Sequence, residues 1–98
     1  MTLIELLELR WDEIFQRLEA GDVVPPTLQL RAEGIMEAAV ATGQTSESEV
    51  LDAMENTHRQ VRGMSIANQL GKDWQQLYPF PQIPAVAQRA PVYPSTRD

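Results

Sequence analysis

The stretch TLIELLELRWDEIFQRLEAG, residues 2–21, carries the signals for the start, the buried face and the end of one helix. Thr2 and Glu5 have the spacing of a capping box, in which each side chain accepts a hydrogen bond from the other residue's amide. Gly21 suits the left-handed backbone that often ends a helix. Apolar side chains recur every three or four residues between these ends: Ile4, Leu7, Trp11, Ile14 and Leu18.

This first helix carries more apolar side chains than one neighbouring helix could cover. Four further positions widen its apolar face: Leu3, Leu6, Leu9 and Phe15. Over the first turns, mainly Glu5, Glu8 and Arg10 are then left to face water. We therefore expect one side of the helix to pack on its own chain and the other on a second copy, in a homodimer.

A second helix is predicted between the turn DVVPPT, residues 22–27, and Gly43. It begins at Pro26 or Thr27, because proline is tolerated in the first turn of a helix but not in its interior. Small residues are frequent in it: Ala32, Gly34, Ala38 and Ala39. This composition indicates that another helix approaches it closely.

A third helix begins at the capping pattern of Ser46 and Glu49. Its buried stripe comprises Val50 or Leu51, Met54, His58 and Val61. A further apolar set follows Gly63 out of phase with this stripe: Ala67, Leu70, Trp74 and Leu77. The chain is therefore expected to kink or break near Gly63, so that residues 46–78 form either one kinked helix or two.

The C-terminal segment LYPFPQIPAVAQRAPVYP, residues 77–94, holds five of the seven prolines. Proline favours extended backbone, yet the segment is rich in apolar side chains: Tyr78, Phe80, Ile83, Val86, Val92 and Tyr93. We expect it to lie in a groove of its own chain, of a twin subunit or of another protein. The predicted fold is all-α, with a bundle of three to four helices in residues 1–78 and an extended proline-rich tail in residues 79–98.

The composition limits the classes of partner. The 98 residues are 43% hydrophobic and carry a net charge of −6, and the helical region holds the negative charge. Such a surface repels phosphate backbones and favours basic protein partners. The chain has no cysteine, no apolar run long enough to span a membrane and no basic stretch typical of a secretory signal, so we expect a soluble cytoplasmic protein.

Catalytic and metal-binding patterns are sparse. A single histidine and no cysteine leave no recognisable nucleophile with its base, so we expect neither an enzyme nor a cofactor. Glu55-x-x-His58 has the spacing used in di-iron helical bundles. A symmetric dimer could complete such a site with Glu13, Glu33 or Glu37. We favour a histidine at the edge of the core, hydrogen-bonded to a neighbour, because His58 is in register with Met54 and Val61.

The stretch SIANQLGKDWQQLYPF, residues 65–80, resembles a helix-turn-helix of bacterial repressors. That resemblance implies DNA binding through the helix after Gly71. Three features depart from it: Lys72 is at a place usually apolar, Trp74 with Gln75 and Gln76 would be exposed, and Pro79 ends the reading helix after about two turns.

The function predicted from these observations is a small acidic regulator, adaptor or inhibitor of the anti-activator type, which sequesters another protein. The alternatives are a helix-turn-helix DNA-binding regulator and a metal-binding dimer using Glu55 and His58. The predicted partner-binding residues come from the apolar first helix and from the aromatic and proline-rich stretch: Leu3, Leu6, Trp11, Trp74, Tyr78, Phe80 and Ile83.

Overall fold

Helix α1 (Leu3–Glu19) has the predicted ends. The Thr2 hydroxyl accepts from the Glu5 amide at 3.1 Å, and the Glu5 carboxylate accepts from the Thr2 amide at 2.8 Å. After the helix, Gly21 adopts a φ of 79°, which a residue with a side chain rarely adopts. This helix is the first of five in a computed structural model that describes residues 1–85 and shows no strand among them. The all-α prediction is confirmed.

α1 lies between α2 (Pro26–Ala41) and α3 (Glu47–Arg62) and packs against both. Its buried side chains are Leu7, Trp11, Ile14, Phe15 and Leu18. The two partners expected for its broad apolar face are therefore both present in its own chain. The homodimer stays a prediction, and the breadth of this face no longer supports it, because α2 and α3 account for the burial.

α2 divides into an inner and an outer face. Ala32, Met36 and Ala39 are fully buried, as expected for small residues at a close helix contact. Gly34 and Ala38 are exposed, and no atom lies within 4 Å of a Cβ placed on Gly34. The predicted close approach is thus wrong for Gly34 and Ala38, because they point away from α1.

α3 begins at a second capping box. The Ser46 hydroxyl accepts from the Glu49 amide at 3.1 Å, and a Glu49 oxygen accepts from the Ser46 amide at 3.1 Å and the Thr45 hydroxyl at 2.8 Å. The hydrogen bonds from Thr45 and then Ser46 lower the pKa of Glu49 below its usual value. The helix ends at Gly63, with a φ of 78°.

Acidification should weaken this cap. Because the pKa of Glu49 is lower in the folded chain than in the unfolded one, its ionised form stabilises the fold above the unfolded value of about 4.3. That contribution is lost as the pH falls through the lower folded value. We expect Glu49→Gln to flatten the fall of Tm between about pH 4.5 and pH 3, measured by circular dichroism. The exposed Glu47→Gln serves as control, and identical pH profiles for the two variants would contradict this role of Glu49.

The chain breaks after Gly63, as predicted, and continues as two short helices rather than one. These are α4 (Ile66–Leu70) and α5 (Trp74–Leu77), separated at Gly71, whose φ is 105°. Ile66 and Trp74 are almost completely buried in the core shared with α1, α2 and α3. Both short helices therefore form one end of the same core.

The predicted tail begins inside the folded domain. Ile83 and Pro84 are buried, and Phe80 packs against the core cluster, so residues 79–85 belong to the packed structure. The Ile83 amide donates to Glu33 of α2 at 2.8 Å. Val86, Val92 and Tyr93 lie outside the described residues. Within residues 1–85, no helix is long and apolar enough to cross a membrane.

Candidate functional site

Three of the predicted partner-binding residues are core residues. Trp11 has no exposed surface, and Trp74 and Ile83 are each 1% exposed. A partner could contact them only if the surrounding helices unfolded. The structure therefore contradicts the prediction that these three residues are surface contacts. Helical periodicity predicts which apolar side chains share one face of a helix. It does not show whether that face packs against the core of its own chain or against a partner.

The other four predicted contact residues keep part of their surface. Leu3 and Leu6 are half-buried on the first two turns of α1. Tyr78 and Phe80 are half-buried and pack against the core from the segment after α5. The remaining accessible part of the predicted surface is therefore small.

His58 is a buried structural histidine. It is 2% exposed, and its ring meets the ring of Phe15 edge-on, with centroids 4.8 Å apart. Its Nδ1 lies 2.7 Å from the Met64 carbonyl oxygen, and its Nε2 lies 3.0 Å from Oε1 of Gln69. Both ring nitrogens thus contact the segment that follows α3, in agreement with the hydrogen-bonded histidine favoured from the sequence.

Glu55, one turn before His58, holds the start of α4. Its carboxylate accepts from the Ile66 amide at 2.6 Å and from the Ala67 amide at 3.3 Å. These are two of the amides that have no acceptor inside a helix. The Glu55 and His58 pair is therefore engaged in holding the turn between α3 and α4.

Two of the three other carboxylates that were considered as metal ligands also form contacts within the chain. Glu13 pairs with Arg17 at 3.3 Å, and Glu33 accepts from Ile83 and Gln29. Residues 1–85 contain no group of three histidine or carboxylate side chains placed to hold a metal ion.

The stretch that resembles a helix-turn-helix forms two very short helices. α4 has five residues and α5 has four. A four-residue helix is about 6 Å long, roughly one turn, which is too short to present several side chains to a DNA groove. Trp74 faces the core, while Gln75 and Gln76 are exposed.

An open groove lies between α1 and α3, on a surface that the sequence did not single out. Its volume is about 590 Å³. The residues that line it define the α1/α3 groove: Met1, Glu5, Glu8, Leu9, Asp12, Asn56, Thr57 and Gln60. A second depression continues from Asp12 and Gln60 along the helices to Glu19 and Val61.

The α1/α3 groove combines negative charge with apolar surface. Glu5, Glu8 and Asp12 line it, and its side chains include no lysine or arginine. Leu9 is 56% exposed beside them. The ion pairs within residues 1–85 involve Glu13 and Glu19, so Glu8 and Asp12 have no basic side chain within 4.0 Å there.

Two polar groups of the groove form hydrogen bonds within their own helices. Asp12 accepts from Gln16 at 3.1 Å, and the Thr57 hydroxyl donates to the Ala53 carbonyl at 3.0 Å. Thr57 is the one hydroxyl of the lining, and it is 6% exposed. The signal that could have revealed the groove is Leu9, which lies opposite the buried face, in line with Glu5 and Asp12.

No family model, no curated protein and no solved structure matches this chain.

Proposed function

We propose that this protein is a small acidic protein-binding module, which acts as a regulator, adaptor or inhibitor by sequestering a basic amphipathic segment of another protein in the α1/α3 groove. The observation that carries the proposal is the exposed Leu9 among the carboxylates Glu5, Glu8 and Asp12. An exposed apolar side chain with several carboxylates beside it is complementary to a helix whose apolar stripe is flanked by lysine or arginine.

The dimensions agree with a helical ligand. Glu5 and Glu19 lie at the two ends of the groove and its continuation. They are fourteen residues apart on α1, which corresponds to about 21 Å and about four turns of a bound helix. A ligand of that length places several apolar side chains against Leu9 and Val61 and its basic side chains against the carboxylates.

The charge of the groove favours a protein over a nucleic acid. The carboxylates would repel phosphates, whereas lysine and arginine side chains would be attracted and steered towards them. Since Glu5 and Glu8 are exposed and Asp12 is half-buried, the attraction is screened by salt. The homodimer and the cytoplasmic location stay predictions from the sequence.

A synthetic peptide tests the proposal. We expect an 18-residue amphipathic helix of leucine and lysine to bind the full chain in fluorescence anisotropy and to bind more weakly as sodium chloride rises from 50 to 500 mM. The same pattern with glutamate for lysine should not bind. Glu8→Lys should weaken binding about tenfold, because one attractive charge becomes repulsive at the centre of the groove.

The matched control is Glu37→Lys, an equal change of charge on an exposed residue of α2, outside the groove. It should leave the affinity within about twofold of wild type, since distant exposed charges are screened. Equal losses for Glu8→Lys and Glu37→Lys would mean that the peptide responds to net charge alone and would contradict a binding groove. Circular dichroism should show unchanged helix content in both variants.

A further inference from the structure

The outer face of α2 is an apolar surface that nothing in residues 1–85 covers. Its centre is a row of three exposed residues spaced four apart: Leu30, Gly34 and Ala38. Leu30 is 65% exposed. The buried residues of α2 lie on the opposite side of the helix, so this row points away from its own domain.

Gly34 indicates a close approach from outside the domain. A glycine inside a helix is less favourable than an alanine. No atom of the described chain lies within 4 Å of a Cβ placed on Gly34, so packing among the described residues does not require a glycine there. A second helix that crosses α2 at this position does benefit from the glycine, because the two backbones can then approach closely.

Two opposite charges flank this row. Arg31 and Glu37 are exposed, and each lies three residues from Gly34, on opposite sides of the row. Neither forms an ion pair within residues 1–85. The face therefore carries a positive and a negative charge at equal distances from its centre. A contact between two identical surfaces requires this kind of self-complementarity.

A two-fold pairing of α2 with its copy brings the opposite charges together. Rows of residues spaced four apart interdigitate when two helices cross at about −50°, the commonest crossing angle. Each three-residue step from Gly34 corresponds to about 4.5 Å along the helix and about 60° around it. At this crossing angle, with the two-fold axis at Gly34, Arg31 of each copy therefore lies beside Glu37 of the partner subunit. The same arrangement places Leu30 against Leu30 of the partner subunit.

We propose that the outer face of α2 binds the same face of a second copy, in a two-fold dimer with a leucine contact and two ion pairs between Arg31 and Glu37. The face of this sixteen-residue helix, about 24 Å long and about 10 Å wide, is smaller than a standard interface of about 800 Å² on each partner. The expected dissociation constant is therefore only about 10–100 μM. The α1/α3 groove contains no residue of α2, so the dimer leaves it open.

Sedimentation equilibrium of the full chain from about 5 to about 500 μM tests the proposal. The wild type should pass from monomer to dimer over this range. Leu30→Glu should stay monomeric, whereas Leu77→Glu, an equal change at a residue that is 66% exposed on α5, should dimerise like the wild type. Gly34→Leu should weaken dimerisation about tenfold and raise the Tm of the monomer, because it fills the crossing point but favours the helix.

A charge exchange identifies the occupant as a second copy. Arg31→Glu and Glu37→Arg should each dimerise about tenfold more weakly than the wild type, because each places like charges side by side. An equimolar mixture of the two variants should associate about as tightly as the wild type, since both ion pairs of the mixed dimer again join opposite charges. A contact within one chain cannot produce association that appears only in the mixture.

Three results would overturn this dimer. A wild type that stays monomeric at about 500 μM would do so and would leave the face to a different occupant, such as another protein. Equal dissociation constants for Leu30→Glu and Leu77→Glu would place the dimer contact elsewhere. A mixture that associates no better than the single variants would contradict the pairing of Arg31 with Glu37 of the partner subunit.

Discussion

Trp74→Ala should lower the free energy of unfolding by about 3–5 kcal/mol, the range seen when a buried tryptophan or phenylalanine is truncated. Trp74 is 1% exposed and is the only buried residue of α5, which has four residues. A helix this short has no stability of its own, so its position depends on this side chain. Its loss removes a large part of the 5–15 kcal/mol that ordinarily stabilises a domain of this size.

Urea unfolding followed by circular dichroism measures this effect without relying on tryptophan fluorescence. Leu77→Ala, in the same helix but 66% exposed, is the control and should change the free energy of unfolding by less than about 0.5 kcal/mol. If the two variants unfolded at the same urea concentration, Trp74 would not be a core residue, and its prediction as a partner contact would regain support.

Glu55→Gln should lower the free energy of unfolding by about 1.5–3 kcal/mol, the range for hydrogen bonds to a charged group. The carboxylate accepts from the amides of Ile66 and Ala67 with its two oxygens. A glutamine has only one oxygen, so one of these amides would face an NH₂ group. Since Ile66 is fully buried, water does not readily replace the lost acceptor.

Asp52→Asn, on the exposed side of the same helix, is the control and should change the free energy of unfolding little in the same urea experiment.

The Glu55→Gln variant also tests the alternative that Glu55 and His58 bind a metal ion. If Glu55 and His58 bound a divalent ion, zinc or manganese would raise the Tm of the wild type but not that of Glu55→Gln. We expect neither ion to raise the Tm of either protein, because these side chains already hold the turn after α3.

Helix boundaries were predictable because their signals are local. Both capping boxes, at Thr2 and Ser46, join residues three apart, and the break at Gly63 follows from a change of apolar phase in neighbouring turns. The apolar spacing did not indicate the split between α4 and α5 at Gly71, although the helix-turn-helix resemblance places a turn there. Segments of four or five residues have too little periodicity to separate from one continuous helix, and their length depends on packing.

The candidate site was mostly not predictable. The sequence correctly indicated that Trp11, Trp74 and Ile83 need an apolar environment, but the prediction that a partner supplies it was wrong for all three. Leu9 was counted among the covered apolar residues, yet it is 56% exposed. The spacing within α1 places Leu9 in line with Glu5 and Asp12, but the α1/α3 groove also depends on how α3 is placed against α1, and no spacing within either helix contains that information.

The local pattern of this sequence was sufficient for the all-α class, the caps and the acidic character, because each rests on residues within one or two helical turns. Contacts between distant parts of the chain could be seen only in the packed structure: Glu33 accepting from Ile83, Glu55 accepting from Ile66, and α1 covered on both sides by its own chain. An apolar or charged side chain can be satisfied by many partners, and the arrangement of the helices in space selects which of them is within reach.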